Sequence, residues 1–118
     1  MKTDILGANK HITGYGSNRE MIPIRIEHIL YFEAVQDLVF AYTKEQIYEI
    51  KMRLYQIEES LKEDKLKRAS KSILVNLRKI ISVRPALNGR LYAKMENEEK
   101  ILISRQYAKE VIAEIMGT

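Results

Sequence analysis

The chain has 118 residues, 46% of them hydrophobic, a formal net charge of +4, no cysteine and two histidines. That length supports one domain with its own core and excludes two of ordinary size. Disulfides, thiolate metal sites, a thiol nucleophile and a histidine-rich metal centre are excluded as well, so no metal and no cofactor are expected. No apolar run approaches the roughly twenty residues of a membrane helix, and MKTDILGANK lacks the apolar core of a secretory signal, so the expected compartment is the cytoplasm.

Residues 1–20 carry three of the five glycines in polar clusters, GANK and GYGSNRE, and read as an N-terminal segment ordered at most in part, with Ile12 to Tyr15 as its one short strand. The domain proper is expected over residues 21–118. Met21 to Ile24 reads as a strand with Pro23 at an edge or an end, because proline offers the ladder no N–H. Arg25 to His28 would turn. Ile29 to Val35 and Leu38 to Thr43 are apolar runs rich in β-branched and aromatic residues, separated by Gln36 and Asp37, and they predict a hairpin. After the polar break at Lys44 and Glu45, Ile47 to Lys51 alternates with strand period, which completes a three-stranded meander. The period then lengthens: Leu54, Ile57, Glu58 and Leu61 fall at helical spacing in RLYQIEESLKEDK, with Glu58 and Lys62 set for an i,i+4 pair. The acidic face Glu58, Glu59, Glu63, Asp64 is expected to be solvated and to point away from any polyanion.

Past Lys65 the balance of charge changes. Lys65 to Lys109 holds twelve Lys or Arg against three acids, Glu96, Glu98 and Glu99, and Lys65 to Met95 holds nine with no acid at all. An electropositive face and a polyanionic partner follow. Strand alternation returns at Ile81 to Arg84, Asn88-Gly89 marks a tight hairpin turn, and Leu91, Ala93 and Met95 alternate with Arg90, Tyr92 and Lys94. A turn at Asn97 leads into Lys100 to Ile103, giving a second meander. The chain then reads as a helix with Tyr107, Ala108, Val111, Ile112, Ile115 and Met116 as its apolar stripe, Ser104 as N-cap and Gly117 as its stop. Arg105 at the first helical position opposes the helix dipole, which points to a demand other than helix stability. Asn76 in LVNLRK reads as a structural residue that bonds backbone.

IPIRIEHILYFEA, the LVFAYT strand, the RLYQIEESL helix, SKSILVNLRKI, the NG hairpin with RLYAKM and the ISRQYAKEVIAEI ending resemble, in that order and spacing, the LytTR family of bacterial DNA-binding domains over about Pro23 to Ile115. The resemblance implies a mainly β fold: small antiparallel sheets in an elongated arrangement, with one short middle helix and one C-terminal helix. It also implies a transcription regulator whose loops, rather than a recognition helix, enter successive major grooves, with two copies on direct repeats. Base contacts carried over from the family fall on Gln36, Asp37 and Val39 at the first hairpin tip, on Lys71, and on Arg105. At Lys71 the family often has His or Arg, and lysine lacks the bidentate fork. Leu66 and Lys67 replace an aromatic pair frequent in the family. Lys67, Arg68, Ser70, Ser72, Lys79, Arg84, Arg90 and Lys109 are the expected phosphate contacts. Family members often follow a receiver domain, for which this chain has no room, so a stand-alone regulator restrained by a membrane protein, or a fragment, is expected.

For Arg105 a salt bridge to Glu33 or Asp37 is the competing reading. For the chain as a whole the rivals are a basic protein-interaction module and an RNA-binding domain. Single-stranded RNA wants aromatic stacking platforms, of which only Tyr92 between Arg90 and Lys94 is one. No phosphate-binding loop or nucleophile motif is present, and the chain is not expected to be an enzyme.

Overall fold

The computed structural model describes residues 5–6 and 10–117. The larger of its two antiparallel sheets contains β1 (Ile5–Leu6), β2 (His11–Tyr15), β3 (Met21–Arg25), β4 (Tyr31–Val35), β5 (Leu38–Tyr42), β6 (Ile47–Ile50), β7 (Leu66–Ser70) and β8 (Ile73–Asn76). The path runs β1-β2-β6-β5-β4-β8-β7, with β3 on the far side of β2. Of the glycine-rich N-terminal clusters, Gly7, Ala8 and Asn9 lie outside the described residues. Pro23 does sit on an edge strand, opposite Thr13 of β2. The smaller sheet is the expected second meander, ordered β11-β10-β9, with β9 Ile80–Pro85, β10 Leu91–Met95 and β11 Lys100–Ile103. Two helices, α1 (Leu54–Ser60) and α2 (Arg105–Met116), complete an elongated body of 41 × 26 × 23 Å. Neither helix is long and apolar enough to cross a membrane.

The apolar residues form two cores because the middle strands of the large sheet are covered on both faces. Phe32 of β4 and Leu74 of β8 pack with Ile57 and Leu61 of the α1 region, whereas Tyr31 and Val75 pack on the other side with Leu91, Ala93, Met95, Ala108 and Val111. The layers are therefore α1, large sheet, then small sheet with α2. Double coverage explains why Ile29–Phe32 and Ile73–Val75 read as unbroken apolar runs. Asn76 is buried at the seam, donating through Nδ2 to the Ile29 carbonyl at 2.8 Å and accepting from the Arg78 amide at 3.1 Å.

Several local expectations change. The hairpin β7–β8 was hidden because a bulge at Ala69 shifts the register between Arg68 and Ser70, so the buried Leu66 and Ala69 are three apart and not two. Helix α1 is shorter than its periodic stretch, and Lys65, with φ +65°, closes the turn after it. Lys62 pairs with Glu59 at 3.2 Å, and Glu58 turns instead to Arg68 at 2.9 Å. The acidic face is thus partly neutralised, since Asp64 also meets Lys10 at 2.9 Å. Ser104 occupies the N-cap position of α2, but its side chain makes no capping bond. Gly117 does end the helix in the left-handed region, φ +72°. Only part of the predicted α2 stripe is covered, for Ile112 and Met116 remain exposed.

Candidate nucleic-acid interface

Four loops from distant parts of the chain meet at one end of the sheets. The β4–β5 hairpin turns through Gln36 and Asp37, with Val35 opposite Leu38 and Gln36 at φ +57°. Beside it, the Ala34 amide donates to the Ser72 carbonyl at 2.8 Å, which places the Ser70-Lys71-Ser72 turn next to that tip. The Ser104 amide donates to the Ala69 carbonyl at 2.8 Å, bringing the start of α2 to the end of β7. The Asn88-Gly89 turn comes next. Both residues are left-handed, with φ +63° and +76°, and a Cβ on Gly89 would lie 2.9 Å from Cγ and Cδ of Arg105. The aliphatic stem of Arg105 therefore lies over a turn where any side chain in place of Gly89 would be both strained and crowded.

Local chemistry aims these loops. Arg68 donates through Nε to Glu58 Oε1 at 2.9 Å and through Nη1 to the Lys71 carbonyl, so it ties the Lys71 turn to α1. The Ser72 amide donates to Ser70 Oγ at 3.3 Å. Lys71 and Arg105 are exposed at the tips of their loops, and neither forms an ion pair among the described residues. The salt-bridge reading of Arg105 is not met, because among the described residues Arg105 pairs with neither Glu33 nor Asp37. Arg84 lies over the Tyr92 ring at 5.7 Å, and Arg90 Nε donates to the Leu87 carbonyl at 2.9 Å, so both flank the Asn88-Gly89 turn. Lys109 is exposed one helical turn beyond Arg105.

Four of the sequence-based candidates, Val39, Lys79, Arg68 and Lys67, are not free side chains of that row of loops. Val39 is 5% exposed and belongs to the core beneath the hairpin, since alternation along β5 turns it inward. Lys79 is at the opposite end of the small sheet, beside Ile80, which pairs with Met95, and 3.9 Å from Glu96. Arg68 is largely enclosed and already committed to Glu58 and the Lys71 carbonyl. Lys67 reaches Glu110 at 3.4 Å and Lys65 reaches Glu114 at 3.1 Å, so acids of α2 fold back onto the acid-free run. Lys65 holds the Glu114 carboxyl below its usual range through that hydrogen bond, with its charge and that of Lys67 adding to it.

Two residues beside the first tip were missed. Arg53 and Tyr55 line a groove of about 390 Å³ together with Gln36, Asp37 and Arg68. Arg53 precedes α1 as Ser104-Arg105 opens α2, and neither helix has an acid in its first turn. The dipole test that singles out Arg105 would have found Arg53 too.

The model of the LytTr DNA-binding domain matches residues 19–116. The chain belongs to the LytTr DNA-binding domain family. This LytTr domain superposes on the LytTr DNA-binding domain of a response regulator from Bacillus cereus with a TM-score of 0.80, at 23% identity, over 92% of this chain and 97% of that one. It is 29% identical over 104 residues to the sensory transduction protein LytT of Enterococcus faecalis, an alignment covering 80% of this chain and 43% of that protein. The LytT of Bacillus anthracis is 27% identical over 115 residues, covering 94% and 47%. This LytTr domain thus spans less than half the length of these two relatives.

Proposed function

We propose that this LytTr domain binds double-stranded DNA sequence-specifically as part of a bacterial transcription regulator in the cytoplasm. Its row of loops lies along one face of the duplex and enters successive major grooves, with two copies at direct repeats. The observation that carries the reading is the row itself. The Gln36-Asp37 tip, Lys71, Arg105 and the Asn88-Gly89 turn are gathered from positions far apart in sequence, and the cations among them face solvent without acidic partners.

The roles follow from side-chain chemistry. Arg105 offers a planar fork suited to guanine O6 and N7, Gln36 an amide suited to adenine, and Asp37 an acceptor for cytosine N4. Lys71 is a point charge for a phosphate or a single base acceptor. Ser70, Ser72, Arg84, Arg90, Lys109 and Arg53 take phosphates, while Arg68 positions the Lys71 turn. Selecting duplexes from a random pool and comparing the selected site with random DNA tests this. Arg105→Ala should cost roughly 1–3 kcal/mol at the selected site and little on random duplex. Equal loss on both with the fold intact would make Arg105 a phosphate contact. An empty selection would remove the sequence-specific reading.

A further inference from the structure

At the end of the large sheet opposite the loops, an open cleft of about 430 Å³ lies between the Tyr31 end of the β4–β5 hairpin and the turn joining β10 to β11. Tyr31 and Tyr42 form one wall, stacked with centroids 4.4 Å apart and planes at 15°. Glu33, Glu45 and Glu99 supply three carboxylates, and Lys44 is the one cation lining it among the described residues. None of these four charged groups forms an ion pair among the described residues. The Tyr42 hydroxyl donates to Glu33 at 3.1 Å. Tyr31 is only 6% exposed, yet its hydroxyl has no hydrogen-bond partner among the described residues; it is not sealed off, and it opens into the cleft.

A phenol on a largely buried tyrosine thus opens, without a protein partner among the described residues, onto carboxylates that no cation pairs. Burial, and then the neighbouring Tyr42, Glu99 and Glu33, push the Tyr31 phenol up to about 12, so it stays neutral and can accept or donate. No group of three His, Cys, Asp or Glu converges closely enough among the described residues to hold a metal ion. A planar organic cation suits the walls better. A guanidinium lies flat on an aromatic ring and has five donors to spread over carboxylates and a phenol oxygen.

We propose that this cleft receives an arginine side chain of a protein partner, seated against the Tyr31–Tyr42 pair and forked to Glu33 and Glu99. Tyr31 opposite Tyr42 is four residue pairs from the hairpin tip, about 13 Å along the strands. A partner docked there leaves the loop row free, so the same domain can hold a duplex and that partner together.

Tyrosine ring resonances of the DNA-free domain, titrated with acetyl-arginine methylamide and with its neutral analogue acetyl-citrulline methylamide, test the proposal. Tyr31 and Tyr42 should shift with the arginine probe and not with the citrulline one. A Glu33→Gln, Glu99→Gln variant should weaken arginine binding at least about tenfold while keeping its unfolding midpoint and its affinity for duplex. If the double variant does not fold, Glu99→Gln alone, at an exposed turn, should weaken binding roughly threefold. Equal shifts with both probes, no shift at either ring up to the solubility limit, or unchanged affinity in a folded variant would overturn the cleft's role. Because no DNA is present in the titration, these results stand apart from the fate of the DNA-binding reading.

Discussion

Gly89 meets two constraints at once: a left-handed φ of +76° and the stem of Arg105 where a Cβ would be. Gly117 meets only the first, with nothing within 4 Å of its Cβ position. Gly89→Ala should therefore cost about 1–3 kcal/mol and lower affinity for the selected duplex, while Gly117→Ala should cost about 1 kcal/mol and leave DNA binding alone. Denaturant midpoints and duplex titrations of both variants check this, and equal behaviour would dissolve the link between turn and arginine. Asn76→Ala should cost about 1–3 kcal/mol in chemical denaturation, because the Ile29 carbonyl it satisfies is left without a partner. Tyr31 gives a pH dependence of definite sign. Its folded phenol pKa is raised, chiefly by burial, so its contribution is fully present below pH 10 and is lost as the pH climbs from 10 to about 12. Tyr31→Phe should flatten that alkaline loss of stability. At this scale Asn76 and Arg105 were legible, each contradicting what its local surroundings would choose. Val39 and Lys79 were not, since which strand face turns inward and which end of a sheet a residue occupies depend on pairings no local pattern contains.

Helices α1 and α2 both begin next to an arginine that the dipole disfavours, and both arginines lie along the loop row. Arg105→Ala should leave the unfolding midpoint within about 0.5 kcal/mol of the parent, the lost packing on Gly89 being offset by relief at the helix start. Arg68 acts differently, through the Lys71 carbonyl and Glu58. Arg68→Ala should loosen the Lys71 turn, raise its amide exchange and cost roughly 1–2 kcal/mol at the selected site. If amide exchange at 70–72 is unchanged, Arg68 does not position that turn. Most elements were readable from period and turn chemistry, including both meanders and the Asn88-Gly89 turn. The β7–β8 hairpin was not, because a single extra residue at Ala69 destroys the alternation by which strands are recognised.

Across the whole molecule, charge differs between the two ends of the small sheet. Lys71, Arg105 and Lys109 stand unpaired among the described residues at the loop end, and Glu96, Glu98 and Glu99 occupy the turn at the other end of β10–β11. The logarithm of the binding constant should fall linearly with the logarithm of salt, with a slope of about −0.9 per phosphate contacted. Arg84→Ala should reduce that slope by about one, whereas Lys79→Ala, beside Glu96 at the far end, should leave it unchanged. A basic half was visible in the sequence, but its division into free and neutralised cations was not, because Glu58, Glu110 and Glu114 come from helices outside the acid-free run.

The loop row has a kinetic consequence. Its members are separated by up to roughly seventy residues, and Arg105 is joined to its neighbours by one backbone bond from Ser104 to Ala69 and by its stem on Gly89. Closing such long loops is entropically slow, and nothing local rewards it before the strands pair. A half-folded chain therefore presents at most part of the surface. During synthesis a ribosome-bound chain lacking residues beyond 103 would have its first tip with Arg53 and its Lys71 turn with Arg68, but not Arg105, and the row should be completed only as α2 docks.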